Sequence, residues 1–438
     1  MPELPRTTDV LVVGAGPVGL TLAASLQARG ADVVVLDKAA EGANTSRAAV
    51  IHARTLEVLH GIGVSDELVR RGVIVPRFTV RDRDRALLSV DFDGLPTRHP
   101  YTLMLPQDIT EDVLTNRLAE LGGGVHRPYE LARLEQDDDG VTATMVGGET
   151  VRASYVVGAD GMHSAVRDQA GIGFAGDTYG QSFVLADVHL DWEFDDSEVM
   201  LYFAPAGLVV VAPLPGGHHR IVATADAAPE HPGRDDIQAL LDARGPQKRP
   251  ARVTDVVWSS RFRVHHRLAD RYREGRMFLA GDAAHVHSPA GGQGMNTGIQ
   301  DAVALAVPLA GVLRDGADER ILDGYEAERR PVAADVIAFT DRMTRVATVD
   351  RSAVRTIRNA ALRVLNRIPA VRRKIALNLS ELAIDRRHIV RAERREPGGP
   401  PAARRRSRRD GLSARASRRP AQTALTAARP SRRRPPRA

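Results

Sequence analysis

Three stretches of this 438-residue chain carry apolar residues without polar alternation, Val10–Val13, Tyr155–Val157 and Met277–Ala280, and each is closed by a glycine. Short unbroken apolar runs of this kind predict parallel strands buried on both faces. After the first run come Gly14-Ala-Gly16-Pro17-Val-Gly19, a helical pattern reaching about Arg29, and a second strand from Asp32 to Leu36. Helical spacing returns at Arg54–Leu59 and at 109–121, and 131–136 and 141–146 flank the turn signal Asp137-Asp-Asp-Gly140 as a hairpin. From 174 to 270 the texture changes to strand-like runs at 182–190, 198–203, 208–212, 220–224 and 254–264, which predict a mostly antiparallel sheet. After the third run, Ser288-Pro289-Ala-Gly-Gly292-Gln-Gly294 is too glycine-rich for helix or strand. The apolar positions from Met295 through Ile299, Val303, Leu305 and Ala306 then suit a helix, and 322–382 reads as further packed helices.

The glycine turns carry the chemistry. Gly14 allows a tight turn, Gly16 lets backbone approach a pyrophosphate, and Gly19 lets the helix sit close to the strand. Asp37 ends the second strand 23 residues beyond Gly14, the separation at which a carboxylate accepts the ribose hydroxyls of a bound adenosine. Gly281-Asp282 places a second carboxylate at a strand's carboxyl end, and the glycine loop after it delivers backbone N–H groups at a helix start. Such a site suits a ligand that becomes negative on reduction, as a flavin ring does.

Gly281-Asp282, Pro289 and the run Gly-Gly-Gln-Gly-Met-Asn ending at Asn296 resemble the second flavin motif of the class A FAD-dependent aromatic hydroxylases, the para-hydroxybenzoate hydroxylase-like family. The resemblance runs from about Asp9 to Ile384 and is strongest to members that hydroxylate aromatic polyketides and phenols. It implies an α/β fold: a Rossmann-like FAD-binding domain (1–173 and 271–345), an inserted, mostly antiparallel β-sheet substrate domain (174–270), and C-terminal helices (346–396). It also implies FAD as cofactor, NADH or NADPH as co-substrate, and O₂, which reacts at flavin C4a to a hydroperoxide that transfers its distal oxygen to an aromatic ring. The residues it assigns to the cofactor are Gly14, Gly16, Pro17, Gly19, Asp37, Lys38, Arg47, Gln107, Gly281, Asp282, Pro289, Gly292, Gly294, Met295 and Asn296. Asp160 and Arg167, in Gly158-Ala-Asp160-Gly161 and after it, match a motif that holds FAD and shapes the path of the nicotinamide donor. Met200, Tyr202 and Phe203 are candidates for the substrate pocket. No catalytic side chain is expected, because the flavin performs the chemistry. Pro308 departs from the family pattern: it cannot donate to the carbonyl of Ala304, which costs about 3 kcal/mol or forces a kink.

Composition narrows the alternatives. With no cysteine, the chain has no disulfide, no thiolate metal site and no redox-active cysteine pair. His285 and His287 lack a carboxylate at ligand spacing, so no metal is assigned. The amino terminus has no apolar leader and no window approaches a membrane span, so a cytoplasmic location without membrane partner is expected. The net charge of +6 suggests nucleic acid until it is divided. Residues 397–438 hold 13 Arg and one acidic residue, Asp410, so 48 basic and 54 acidic residues remain elsewhere and the body carries −6. The basic tail lacks interleaved aromatics and apolar periodicity, so it is expected to be disordered and to bind no specific nucleic acid. Its composition is also what a shifted reading of GC-rich codons yields, in place of the thioredoxin-like domain that polyketide-acting members often carry. The remaining rival is an FAD-dependent reductase or dehydrogenase of the same fold, since fold and cofactor do not fix the reaction.

Overall fold

In the computed structural model the first apolar run, Thr7–Val13, lies at the centre of a sheet, with Val10, Leu11 and Val12 fully buried. The structure describes residues 4–42, 48–194, 196–225, 227–349 and 351–383; Arg47 and the tail from 397 lie outside them. Thr7–Val13 pairs in parallel with Thr150–Gly158 on one side and Val33–Leu36 on the other. Met277–Leu279 and Val125–His126 extend the parallel array, and the hairpin Leu131–Gln136/Val141–Met145 hangs on Thr150–Gly158. All three unbroken apolar runs are therefore adjacent parallel strands. Continuous burial on both faces is what their lack of alternation requires.

Among the described residues the α-helices are, in chain order, α1 Pro17–Gln27, α2 Ala53–His60, α3 Ser65–Arg71, α4 Gln107–Glu120, α5 Ala165–Gln169, α6 Arg234–Arg244, α7 Gly294–Asp315, α8 Asp323–Ala347, α9 Ser352–Asn366 and α10 Pro369–Leu379. α7 is continuous through Pro308, with Val307 beside it exposed. Among the described residues α7 alone is long and apolar enough to cross a membrane, and 61% of its apolar window is buried in the fold.

The second large sheet has eight strands in the order His285–Val286, Arg252–Ala269, Phe174–Asp191, His218–Thr224, Gly207–Leu214, Glu198–Ala204, Arg77–Asp82 and Arg85–Asp91. Every pairing is antiparallel except Glu198–Ala204 with Arg77–Asp82. Its boundaries differ from 174–270. Two strands come from the segment between α3 and α4, and one, His285–Val286, comes from between the Gly281 turn and the glycine loop at 288–294. Residues 77–91 carry no clear local strand signal, because that hairpin is short and charged at its ends and its partner strand is more than a hundred residues away.

The faces of this sheet separate by strict alternation. Met200, Tyr202, Val209, Val211, Ile221, Ala223, Val184 and Ala186 point toward α6 and form one core with Ile237 and Leu241. Phe203, Leu208, Phe183 and Val264 occupy the opposite face, with Leu201, Val210, Val222 and Phe262 half-buried among them. Met200 and Tyr202 are thus corrected as pocket candidates. Both are fully buried, and the Tyr202 hydroxyl donates to the Met200 sulfur at 3.2 Å. Phe203 lies on the other face, but its ring is covered by the Arg358 guanidinium 5.1 Å from its centroid.

Candidate cofactor site

The parallel register brings Val13, Gly158 and Leu279 side by side, so the turns that follow all leave the same carboxyl edge of the sheet. Ligands of open α/β sheets bind at that edge. Gly14 turns with φ +104°, and a methyl group on it would run into the backbone of Ala159 and Asp160. A methyl group on Gly19 would fall on the carbonyl oxygen of Gly14. Gly16 differs from both, because the nearest protein atom to a Cβ there is Glu111 Oε1 at 4.0 Å. Two of the glycines are required by protein packing. The third opens a space on the side where a phosphate would approach.

Gly16 is also the N-cap of α1, with Pro17 at the first helical position and no side chain satisfying the first-turn N–H groups. An uncapped helix start of this kind favours an anion. Asp37 accepts from Ala15 N at 2.8 Å and from Ala39 N at 2.8 Å, and pairs with Arg127 at 2.9 Å, so its carboxylate is fixed beside the turn. Lys38 is exposed. Gln107 opens α4; its amide nitrogen donates to Glu111 at 2.8 Å and its oxygen accepts from Ala48 N at 3.4 Å. Burial pushes the Glu111 carboxyl up, against the opposing pull of Gln107 and Arg127. No motif marks Glu111, and only its place one turn after Gln107 could have drawn notice.

The second turn meets the first through Val18. A Cβ on Gly281 (φ +62°) would lie 2.8 Å from Val18 Cγ2, and one on Gly298 of α7 would lie 2.7 Å from the same atom. Asp282 is exposed beside this contact. The loop then folds back, with Gly292 N donating to Pro289 O at 3.0 Å, and Gly292 (φ +65°) packs against Val50. α7 starts at Gly294 without a side-chain cap, with Met295 half-buried in its first turn. Asn296 is buried, and its side chain is fully engaged. Its amide donates to Val50 O at 2.8 Å and Gly292 O at 2.7 Å, and its oxygen accepts from His52 N at 2.8 Å. What Asn296 leaves for a ligand is its backbone N–H; the side chain shapes the loop.

Asp160 and Arg167 do not form a pair. Asp160 accepts from Val166 N at 3.3 Å in the first turn of α5, and burial pushes its carboxyl up. The Arg167 guanidinium points inward, donating to Met162 O at 3.0 Å and Ala283 O at 3.2 Å and stacking over Phe174 at 4.1 Å. Arg167 therefore ties the middle turn to the Gly281 turn, and its burial corrects the expectation that it lines a donor's path. Buried polar residues not assigned to the cofactor also serve the second loop. His52 Nε2 lies 2.8 Å from Gly291 O, and burial lowers its pKa to about 4, so the ring is neutral at pH 7. Gln293 donates to Gly291 O and Leu379 O. Among the described residues no cluster of His, Asp and Glu could hold a metal.

The residues present fit a flavin dinucleotide: an open cradle at Gly16, an uncapped helix start at each loop, and a carboxylate at each strand end. The chain belongs to the family described as the FAD binding domain, whose model matches residues 7–340. It is 41% identical over 385 residues to the 6-methylpretetramide 4-monooxygenase of Streptomyces rimosus, covering 86% of this chain and 68% of that protein. It is 34% identical over 346 residues to the pentachlorophenol 4-monooxygenase of Sphingobium chlorophenolicum, covering 76% and 64%. Among solved structures, the OxyS anhydrotetracycline hydroxylase of S. rimosus superposes with a TM-score of 0.72 at 36% identity, over 86% of this chain and 76% of the other. The p-nitrophenol 4-monooxygenase PnpA of Pseudomonas putida superposes with a TM-score of 0.79 at 28% identity, over 87% and 99%.

Proposed function

We propose that this protein is a cytoplasmic FAD-dependent monooxygenase that uses NADH or NADPH and O₂ to hydroxylate a phenolic or polycyclic aromatic substrate. The observation that carries the reading is the meeting of both glycine turns at Val18 on the carboxyl edge of one parallel sheet, in a chain similar along most of its length to aromatic monooxygenases. Gly16 and the start of α1 would hold the pyrophosphate, Asp37 the adenosine ribose, Asp282 the ribityl or phosphate region, and the first N–H groups of α7 the flavin ring. Bound flavin, once reduced, supplies the activation of oxygen; the protein supplies position, dryness and charge. The face of the large sheet opposite α6, with half-buried Leu201, Val210, Val222 and Phe262, is the apolar surface we assign to the substrate.

The test is to purify the protein, measure bound flavin by absorbance, and follow NAD(P)H oxidation and ¹⁸O₂ incorporation across a panel of phenols and polycyclic aromatics. A colourless protein with no affinity for FAD overturns the reading. Flavin reduction without label in any product would favour the reductase of the same fold.

A further inference from the structure

α7 carries a charged group where a core residue should be. Asp301 has no solvent exposure, and its carboxylate accepts from His285 Nε2 at 2.6 Å, Arg329 Nε at 2.8 Å and Gly281 N at 3.3 Å. His285 is likewise buried and Arg329 is 4% exposed. Arg329 NH2 also reaches Thr297 O at 3.4 Å, and the Tyr325 hydroxyl, one turn earlier on α8, donates to Leu279 O at 2.8 Å. Four separate elements meet here: the strand before the Gly281 turn, the strand after it, α7 and α8. Burial pushes the Asp301 carboxyl up, but His285 and Arg329 outweigh it and hold the group below the usual carboxylate range.

Stability does not explain such a cluster, because replacing a buried ion pair with apolar residues of similar volume is often neutral or stabilising. Geometry does explain it. Leu279 O is held by Tyr325, Gly281 N and the His285 ring by Asp301, and Ala283 O by Arg167, so three side chains pin the turn. Asp282 stands exposed in the middle of that span. We infer that Asp301, oriented by Arg329 and His285, is a positioning residue that fixes the Gly281–Ala283 turn so that the Asp282 carboxylate meets the ribityl or phosphate region of the dinucleotide. This rests on the assignment of Asp282 to the cofactor.

The experiment compares FAD binding with fold stability. Wild-type apoprotein is titrated with FAD, by flavin fluorescence and visible circular dichroism; this arm tests the cofactor reading alone. The double variant Asp301→Leu/Arg329→Met removes both charges together. Its apoprotein should melt within a few degrees of wild type while its FAD Kd rises about tenfold or more and the visible dichroism of bound flavin changes. Wild-type Kd and dichroism in that variant would overturn the inference while leaving the cofactor reading intact. If the double variant does not fold, His285→Gln, which keeps an N–H donor, is compared with His285→Phe, which does not. The first should retain FAD affinity and the second should lose it; equal affinities would overturn the inference.

Discussion

The two glycine turns reach the same sheet edge by different physics. In the first, Gly14 and Gly19 are fixed by backbone packed against backbone, and one carboxylate, Asp37, completes the turn. In the second, Gly281 and Gly292 press on the side chains of Val18 and Val50, which can shift; Gly281 N donates to Asp301, and Asn296, Arg167 and His52 side chains bond the carbonyls of Gly292, Ala283 and Gly291. Steric fixation tolerates no substitution but needs few residue types. Polar fixation is distributed and can be tuned residue by residue.

That contrast sets the largest expected effects. Gly19→Ala should prevent formation of folded holoprotein, because the added methyl meets the Gly14 carbonyl and neither backbone can retreat; overpacking costs about 1–3 kcal/mol, and a contact this close belongs at the upper end. Circular dichroism and flavin absorbance of the purified variant check this, and a stable yellow protein would break the steric account. Gly16→Ala should behave oppositely. Its methyl group has room in the protein, so the apoprotein should melt as wild type while FAD affinity falls by about tenfold or more through obstruction of the phosphate. Unchanged affinity would show that the phosphate does not lie over Gly16.

Asp282→Ala comes next. Removing one charged acceptor from a cofactor costs about 1–3 kcal/mol, so isothermal titration should show FAD affinity reduced by about tenfold to a hundredfold with little change in apoprotein melting. A wild-type titration would assign Asp282 to the turn itself. Smaller again is the effect on the substrate face. Val222→Ala and Leu201→Ala should raise KM for the aromatic substrate by about tenfold, whereas Tyr202→Phe, on the α6 face, should leave KM unchanged. If Tyr202→Phe moves KM and the other two do not, the faces have been assigned the wrong way round.

The same contrast explains what could be read from the sequence. Gly14, Gly16, Gly19, Gly281 and Gly292 announce themselves, because a tight turn or a close approach restricts the residue type at a single position. The three buried strands were equally legible, since burial on both faces leaves no polar alternation. The eight-stranded sheet was visible as strands but not as a surface. Which face meets α6 depends on where Ile237 and Leu241 dock, and that contact carries no local signal. Asp301, His285 and Arg329 were unreadable as a set because they lie on separate elements, and each taken alone looks like an ordinary polar residue. Arg167 was read as facing a ligand because its motif is shared, while its direction depends on Phe174 and Ala283.

A last effect, on stability rather than on binding, concerns polar fixation at the end of the described chain. Glu381 follows α10 with φ +62°, and its buried carboxyl is hydrogen-bonded by Gln300 of α7. Beside it, Ser380 O accepts from Arg54 N of α2 at 3.2 Å, so this short segment clasps α2 and α7 together. Burial pushes the Glu381 carboxyl up from 4.5 to about 8, outweighing the Gln300 hydrogen bond and the charge of Arg329. An acid whose folded pKa is raised binds its proton more tightly in the folded state. Its contribution to stability is therefore fully present below about pH 4.5 and is lost as pH rises through about 8. Glu381→Gln cannot ionise, so its melting temperature relative to wild type should climb between pH 5 and pH 8 and level off above that, with a final advantage on the order of a few kcal/mol at most. Chemical denaturation of both proteins at pH 5, 7 and 9 measures the difference directly. A constant offset at all three values would mean that Glu381 ionises normally in the folded protein, and that the clasp holds through its backbone alone.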